Sequence, residues 1–270
     1  MKKRLLTMAT LLAMVFTMQA QETTKIMVVT GNDGKVYRKA VKDVKVITFV
    51  DESDEYVDLG LPSGTKWATR NVGASQPEEY GDYFAWGETE PYYTDGNAQS
   101  TATTGIWKTG KTAGYNWGSY FDTPSGYTSG TPTYFTTYNT ANAQLQSQHD
   151  VATAKWGSAW CMPTHAQMEE LAANTVSEWG TLNGVNGRYF YKKDAGGSKV
   201  ADTYIFLPAT GYRDGTSLYS QGFYGGYWSR ELHSSLVYNA WDLYFDSGLV
   251  DAEDNSRRYY GLSVRAVCAQ

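Results

Sequence analysis

The chain has 270 residues, 41% hydrophobic and 19% charged, with a formal net charge of -5. This balance excludes a disordered chain, and the mild acidity excludes the basic footprint that nucleic acid or an anionic membrane surface requires. The 22 Tyr, 9 Trp and 27 Gly suit short strands and aromatic-pinned loops better than long helices.

At the start, Lys2, Lys3 and Arg4 precede an apolar run from Leu5 to Met18, followed by Gln19-Ala20. This pattern reads as an export signal over residues 1–20. The apolar run is too short for a membrane span, and no cysteine marks a lipid-anchor site, so the expectation is an exported protein in the periplasm, at the cell surface or secreted. Residues 21–50 read as a small β-hairpin: Ile26 to Val29 is an apolar run, Gly31-Asn32-Asp33-Gly34 is a turn signal, and Val44 to Val50 adds strand character. Such a piece is too small to hold a core, so it is expected to dock, on the main domain or as part of a surface assembly. Acidic residues 51–55 read as a linker to a main domain over 56–270.

In that domain Tyr56 to Leu59 and Lys66 to Ala68 read as strands around the Leu61 to Gly64 turn. Pro77 to Tyr80 reads as a helical turn and Tyr83 to Trp86 as a strand. From Glu90 to Gln148 the chain is rich in Thr, Gly, Tyr, Ser and Asn without sustained periodicity. Its aromatics (Trp107, Tyr115, Trp117, Tyr120, Phe121) predict an ordered excursion. Thr164 with Gln167 forms a capping-box pattern ahead of Met168, Leu171 and Ala172, which predicts a helix. Strands are expected over Arg188 to Tyr191 and Thr203 to Leu207, giving an α+β domain of short antiparallel strands, one or two helices and long loops.

The stretch from Gly225 to Val267 reads in two layers. Tyr227, Trp228, Trp241, Leu243, Phe245, Leu262, Val264 and Ala266 form a buried frame, largely at period two. The residues between them are expected to face outward or lie in loops, and they make the candidate ligand-binding set. These are Arg230, Glu231, His233, Tyr238, Asp242, Tyr244, Asp246, Asp251, Glu253, Asn255, Arg257 and Tyr259. Tyrosines supply contact area at low entropic cost and Asp, Asn and Arg supply polarity, so a protein or glycan is the expected ligand.

Four stretches, Asp58 to Thr89, Trp156 to Leu171 (WGSAWCMPTHAQMEEL), Phe206 to Ser229 and Tyr259 to Val267, come in an order that resembles the Fibrobacter succinogenes major paralogous domain family. The resemblance spans about Tyr56 to Gln270 and implies a C-type lectin-like fold. Through Pro163-Thr164 and Gln167 it also implies similarity to formylglycine-generating enzymes. Family members often carry Cys where this chain has Arg70 and Arg where it has Cys161, so a family disulfide does not carry over. The tail from Trp228 to Arg265 resembles the variable region of retroelement-diversified proteins, in which a fixed frame displays exchangeable residues.

Chemical motifs are sparse. Gly105 to Thr112 matches the Walker pattern, but its flanks lack the strand and helix that a phosphate cradle needs. His149, His165 and His233 have no metal-ligand companions in sequence and read as solvated or locally bonded. Asp251, Glu253 and Asp254 read as a solvated acidic loop, with calcium weighed as the alternative. Sugar stacking on Trp228 or Trp241 is weighed against core filling, which period two favours for Trp241. Cys161 and Cys268 leave one bridge open, and they are poorly placed in sequence for two-cysteine oxidase chemistry. The expectation is a non-enzymatic binding protein without a cofactor. A structural subunit of a surface or fimbrial assembly is the alternative, and a formylglycine-generating-like enzyme a distant third.

Overall fold

The computed structural model describes residues 26–30, 36–40, 55–92, 114–122, 130, 132 and 134–268. The chain divides into two units, Met1–Phe49 and Val50–Gln270. In the first, β1 (Ile26–Thr30) and β2 (Val36–Ala40) pair antiparallel, from Ile26↔Ala40 to Thr30↔Val36. The export signal, the hairpin turn, Val44 to Val50, most of the linker and the Walker-like loop lie outside the described residues. Among the described residues no helix is long and apolar enough to cross a membrane.

The second unit is α+β. A four-stranded sheet runs β3 (Tyr56–Val57), β4 (Lys66–Asn71), β14 (Arg265–Cys268), β5 (Trp160–Cys161), all antiparallel. The last strand of the chain thus sits between early ones. A second sheet runs β6 (Thr175–Leu182), β7 (Val185–Lys193), β8 (Lys199–Pro208). The hairpin β9 (Tyr212–Asp214) and β10 (Ser217–Tyr219) forms its own two-stranded sheet, bridged to the rest of the unit through Arg213 with Gly261 and Gly215 with Tyr115. A third sheet runs β11 (Gly225–Leu232), β12 (Asn239–Phe245), β13 (Val250–Arg257).

Among the described residues two helices lie between these strands. α1 (Val151–Trp156) is capped by Asp150, whose side chain accepts from the Thr153 N–H. α2 (His165–Asn174) starts where the sequence places it, because Thr164 and Gln167 cap each other's backbone N–H in a complete capping box. Met168 and Leu171 on α2 pack with Tyr227, Leu243, Phe245 and Ala252, covering one face of the third sheet. Trp228 and Ala240 belong instead to a cluster with Trp86, Val264 and Ala266. The third sheet is therefore covered over part of both faces, and burial along β11 is nearly continuous rather than alternating.

Several expected elements differ. Tyr83 to Trp86 makes a single bridge, Phe84 to Leu262, rather than a strand. Pro77 to Tyr80 is a turn closed by Glu79 N–H to the Gln76 carbonyl, not a helical turn. The described part of the long excursion is ordered by its aromatics: Tyr115, Trp117, Tyr120 and Phe135 form a cluster with Tyr83 and Tyr259. A buried ion pair ties that excursion to the C-terminal region. Arg258 Nη2 meets Asp122 Oδ2 at 2.9 Å, with both side chains shut off from solvent. The other guanidinium donors reach the Tyr138 carbonyl, the Val237 carbonyl and the Tyr120 hydroxyl. The ring of Phe135 lies 4.1 Å from the guanidinium carbon.

Candidate functional site

A β-bulge sets the chemistry of the third sheet. Asp242 pairs with Asp254 and Tyr244 with Asp251, so two residues of β13, Ala252 and Glu253, oppose the single Leu243. Directly paired residues face the same side, and Asp242 and Tyr244 share a face by strand alternation. The extra residue thus brings Asp251 and Asp254, three apart in sequence, onto one face with Asp242 and Tyr244. The expected acidic loop is a strand. Among the described residues no group of three or more His, Cys, Asp or Glu side chains is arranged to hold a metal ion.

A row of tyrosines runs out from this face. Tyr244 and Tyr224 have ring centroids 5.1 Å apart, Tyr224 and Tyr212 are 5.9 Å apart, and Tyr212 stands 5.2 Å from both Tyr219 and Tyr260. The β9–β10 hairpin holds the outer end. Gly211 is its hinge, at φ +62°, where a Cβ would stand 2.0 Å from the Tyr219 carbonyl oxygen. Only glycine fits there. Tyr219 is 44% exposed, and Phe223, next to Tyr224 in the chain, is 76% exposed. Tyr212, Tyr219, Phe223, Tyr224 and Tyr260 were absent from the candidate set read from sequence. The aromatic density of residues 211–227 is a signal for the first four, and the Tyr259-Tyr260 pair is one for the last.

The carboxylates beside this row are electrostatically unsettled. Asp242 is only 2% exposed, and its Oδ1 has no hydrogen-bond partner. Burial, then repulsion from Asp254, pushes its carboxyl well above the usual range, against a hydrogen bond from Ser256. Burial raises the Asp254 carboxyl too, with Asp251 adding repulsion. Asp214, at the hairpin, is raised by burial and partly relieved by Arg257. Asp246 contrasts with these. The N–H groups of Gly248 and Leu249 bond it, and the Tyr244 hydroxyl donates to it at 3.0 Å, which holds its carboxyl below the usual range.

The structure separates the residues expected to act together. Asp242, expected to point outward, is buried because Trp228, its partner on β11, faces the same side and fills the core there. Tyr259 is also buried, edge-on to Trp117 at 4.8 Å. Tyr238 packs against the same cluster. Arg230 is turned inward. Its Nη2 donates to the Leu145 carbonyl and its Nε lies 3.9 Å from Asp150, so it braces the segment ahead of α1. Glu231 accepts from the first backbone N–H of α2, at His165, and from the Gln144 side chain. Glu253 is exposed at the bulge. Asn255 accepts from Asn239 at 2.6 Å, while Arg257 is exposed and donates to the Tyr259 hydroxyl at 3.2 Å. Asn255 pairs with Trp241, so these two face away from Asp242 and Tyr244.

Trp241 itself reverses the expectation of core filling. It is half-buried, and two histidines far apart in sequence meet it: His165 stacks at 4.2 Å and 4°, and His233 lies at 4.1 Å and 40°. Trp228 is the one that fills the core. Burial, then the nearby His165, holds His233 below the usual histidine value. His149 is locally bonded, with Nδ1 2.7 Å from the Tyr138 hydroxyl. One expected result follows: the emission difference between wild type and Trp241→Phe titrates with a midpoint below pH ~6.5, and His233→Gln moves or removes that titration. A midpoint above that value would contradict the burial of His233.

The cysteines are free thiols. Cys161 pairs with Val267 and Cys268 with Trp160, so neighbours on adjacent strands point to opposite faces of the first sheet. That orientation does not suit a bridge. Burial raises both thiols, which makes them weak nucleophiles at neutral pH.

Residues 173–267, which carry β6 to β13 and most of β14, match a family profile described as a domain of unknown function, DUF8237. No curated protein and no solved structure matches the chain.

Proposed function

We propose that this chain is an exported, non-enzymatic binding protein. In this reading a C-type lectin-like domain presents its tyrosine-lined face to a protein or glycan on another cell or surface. The observation that supports this most is the row Tyr244–Tyr224–Tyr212–Tyr219, which runs from β12 of the third sheet to the glycine-hinged hairpin, with carboxylates beside its inner end. Rigid aromatic side chains on a stiff support carry binding energy with little ordering cost. The retroelement-like tail fits the same plan, because exchange of partly exposed strand residues alters contacts while the buried frame persists.

The test compares the full chain with a Tyr219→Ala, Phe223→Ser, Tyr244→Ala variant on a glycan array and in a cell-surface pull-down. Species captured by the wild type should be bound at least about 30-fold more weakly by the variant, with little change in Tm. Empty results on both platforms would overturn the reading. The second reading, a structural subunit of a surface assembly, draws on Val28, which is 47% exposed on a hairpin too small for a core of its own. Deleting residues 21–50 should then abolish surface display.

A further inference from the structure

We propose that the tyrosine-and-carboxylate face of β11–β13 accepts a cationic side chain, lysine or arginine, from a protein partner. This rests on the reading above that the face binds a ligand, and it names the chemistry of that ligand. Asp242, Asp251 and Asp254 lie on one face. Among the described residues none of the ion pairs reaches any of them. Asp251 and Asp254 each give one oxygen to a nearby backbone N–H, at 2.8 Å, and keep the other for an incoming donor.

Asp242 is the independent observation. It is nearly sealed, its Oδ1 has no partner, and its neighbours are two further carboxylates rather than a base. Burial and the neighbouring carboxylates disfavour the ionised form of Asp242, and a cation seated beside it favours that form. Tyr224 and Tyr244 stand over this corner with ring centroids 5.1 Å apart. Tyrosine faces attract a cation held within ~6 Å of the ring, more strongly once it is desolvated. A neutral sugar would gain the stacking but would leave the three carboxylates mutually opposed. A lysine or arginine relieves the repulsion and uses the rings at once.

The test measures binding of a lysine decapeptide, an arginine decapeptide and the Nε-acetylated lysine decapeptide to the full chain at 50 and 300 mM salt. The cationic peptides should bind and the acetylated one should not. Asp242→Asn, Asp254→Asn should weaken binding at least about tenfold. An equal charge change on exposed side chains elsewhere, Glu169→Gln, Asp202→Asn, should leave it within about twofold, which separates a local site from attraction to net charge. Equal losses in the two variants, or equal binding of the acetylated peptide, would overturn the proposal. If a neutral glycan is instead captured and lost in the Tyr219, Phe223, Tyr244 variant, the face remains a ligand surface and only the cationic assignment falls.

Discussion

Arg258→Met is expected to cost the folded chain about 3–5 kcal/mol, because it strips the cation from a buried pair and leaves the Asp122 carboxylate shut off from solvent. For a domain of this size that is a fall in Tm of about 10 °C or more. Asp122→Ala should cost at least as much. It removes the same pair and also orphans the N–H groups of Thr136, Thr137 and Tyr138, which Asp122 accepts at 3.0, 3.0 and 3.3 Å. The double variant should cost less than the sum, since both single changes destroy one shared interaction. The pH dependence has a definite sign. Burial opposes ionisation of Asp122, but Thr136, Arg258 and the backbone donors outweigh it and lower its carboxyl. Stability from this group is therefore present above the unfolded carboxylate value and lost as pH falls through the lowered folded one. The gap between wild type and Arg258→Met should narrow in acid. Urea unfolding of the four proteins at neutral and acid pH decides this, and strictly additive costs would show that the two side chains act separately.

Local signals made part of this fold legible. The capping box announced α2 because Thr164 and Gln167 satisfy each other within one turn, whatever packs on the helix. β1 showed in its apolar run for the same reason, whereas β2, with Arg38 and Lys39 in it, carries no such run and only pairing with β1 makes it a strand. β6 went unseen because no turn residue precedes it, as Thr175 is both the C-cap of α2 and the first strand residue. β13 reads as an acidic loop in sequence, and only pairing with β12 makes it a strand. Nothing local marks its bulge. The period-two frame held for Leu243 and Phe245 and failed for their neighbours, because it assumes a sheet with one covered face. This sheet carries α2 on one side and the Trp228 cluster on the other, so Asp242 is sealed. Trp241 stays half out beside His165, where α2 begins. The tyrosine row is tertiary altogether, joining β9, β10, β12 and two loops.

Asp242→Asn is expected to stabilise the fold while weakening the binding of a cationic partner. In the wild type a nearly sealed carboxylate has an oxygen without a donor and faces Asp254 across the strand pair. An unsatisfied buried polar atom costs roughly 1–3 kcal/mol. The asparagine has the same shape, carries no charge and can donate to Asp254, so Tm at neutral pH should rise by about 3–8 °C. The pH dependence runs opposite to that of Asp122. Burial, then Asp254, raises the folded carboxyl value, so the ionised group weakens the fold and that penalty vanishes below the unfolded value, near the ordinary 3.8. The advantage of Asp242→Asn should be largest at neutral pH and close as pH falls toward about 4. Calorimetry of both proteins across that range measures it, and a variant less stable than wild type at pH 7 would show that the carboxylate has a hidden donor. Gains in stability from removing a functional group mark sites whose strain is held for a ligand. The same substitution therefore couples stability to binding, because the partner's cation and the asparagine amide relieve one and the same repulsion.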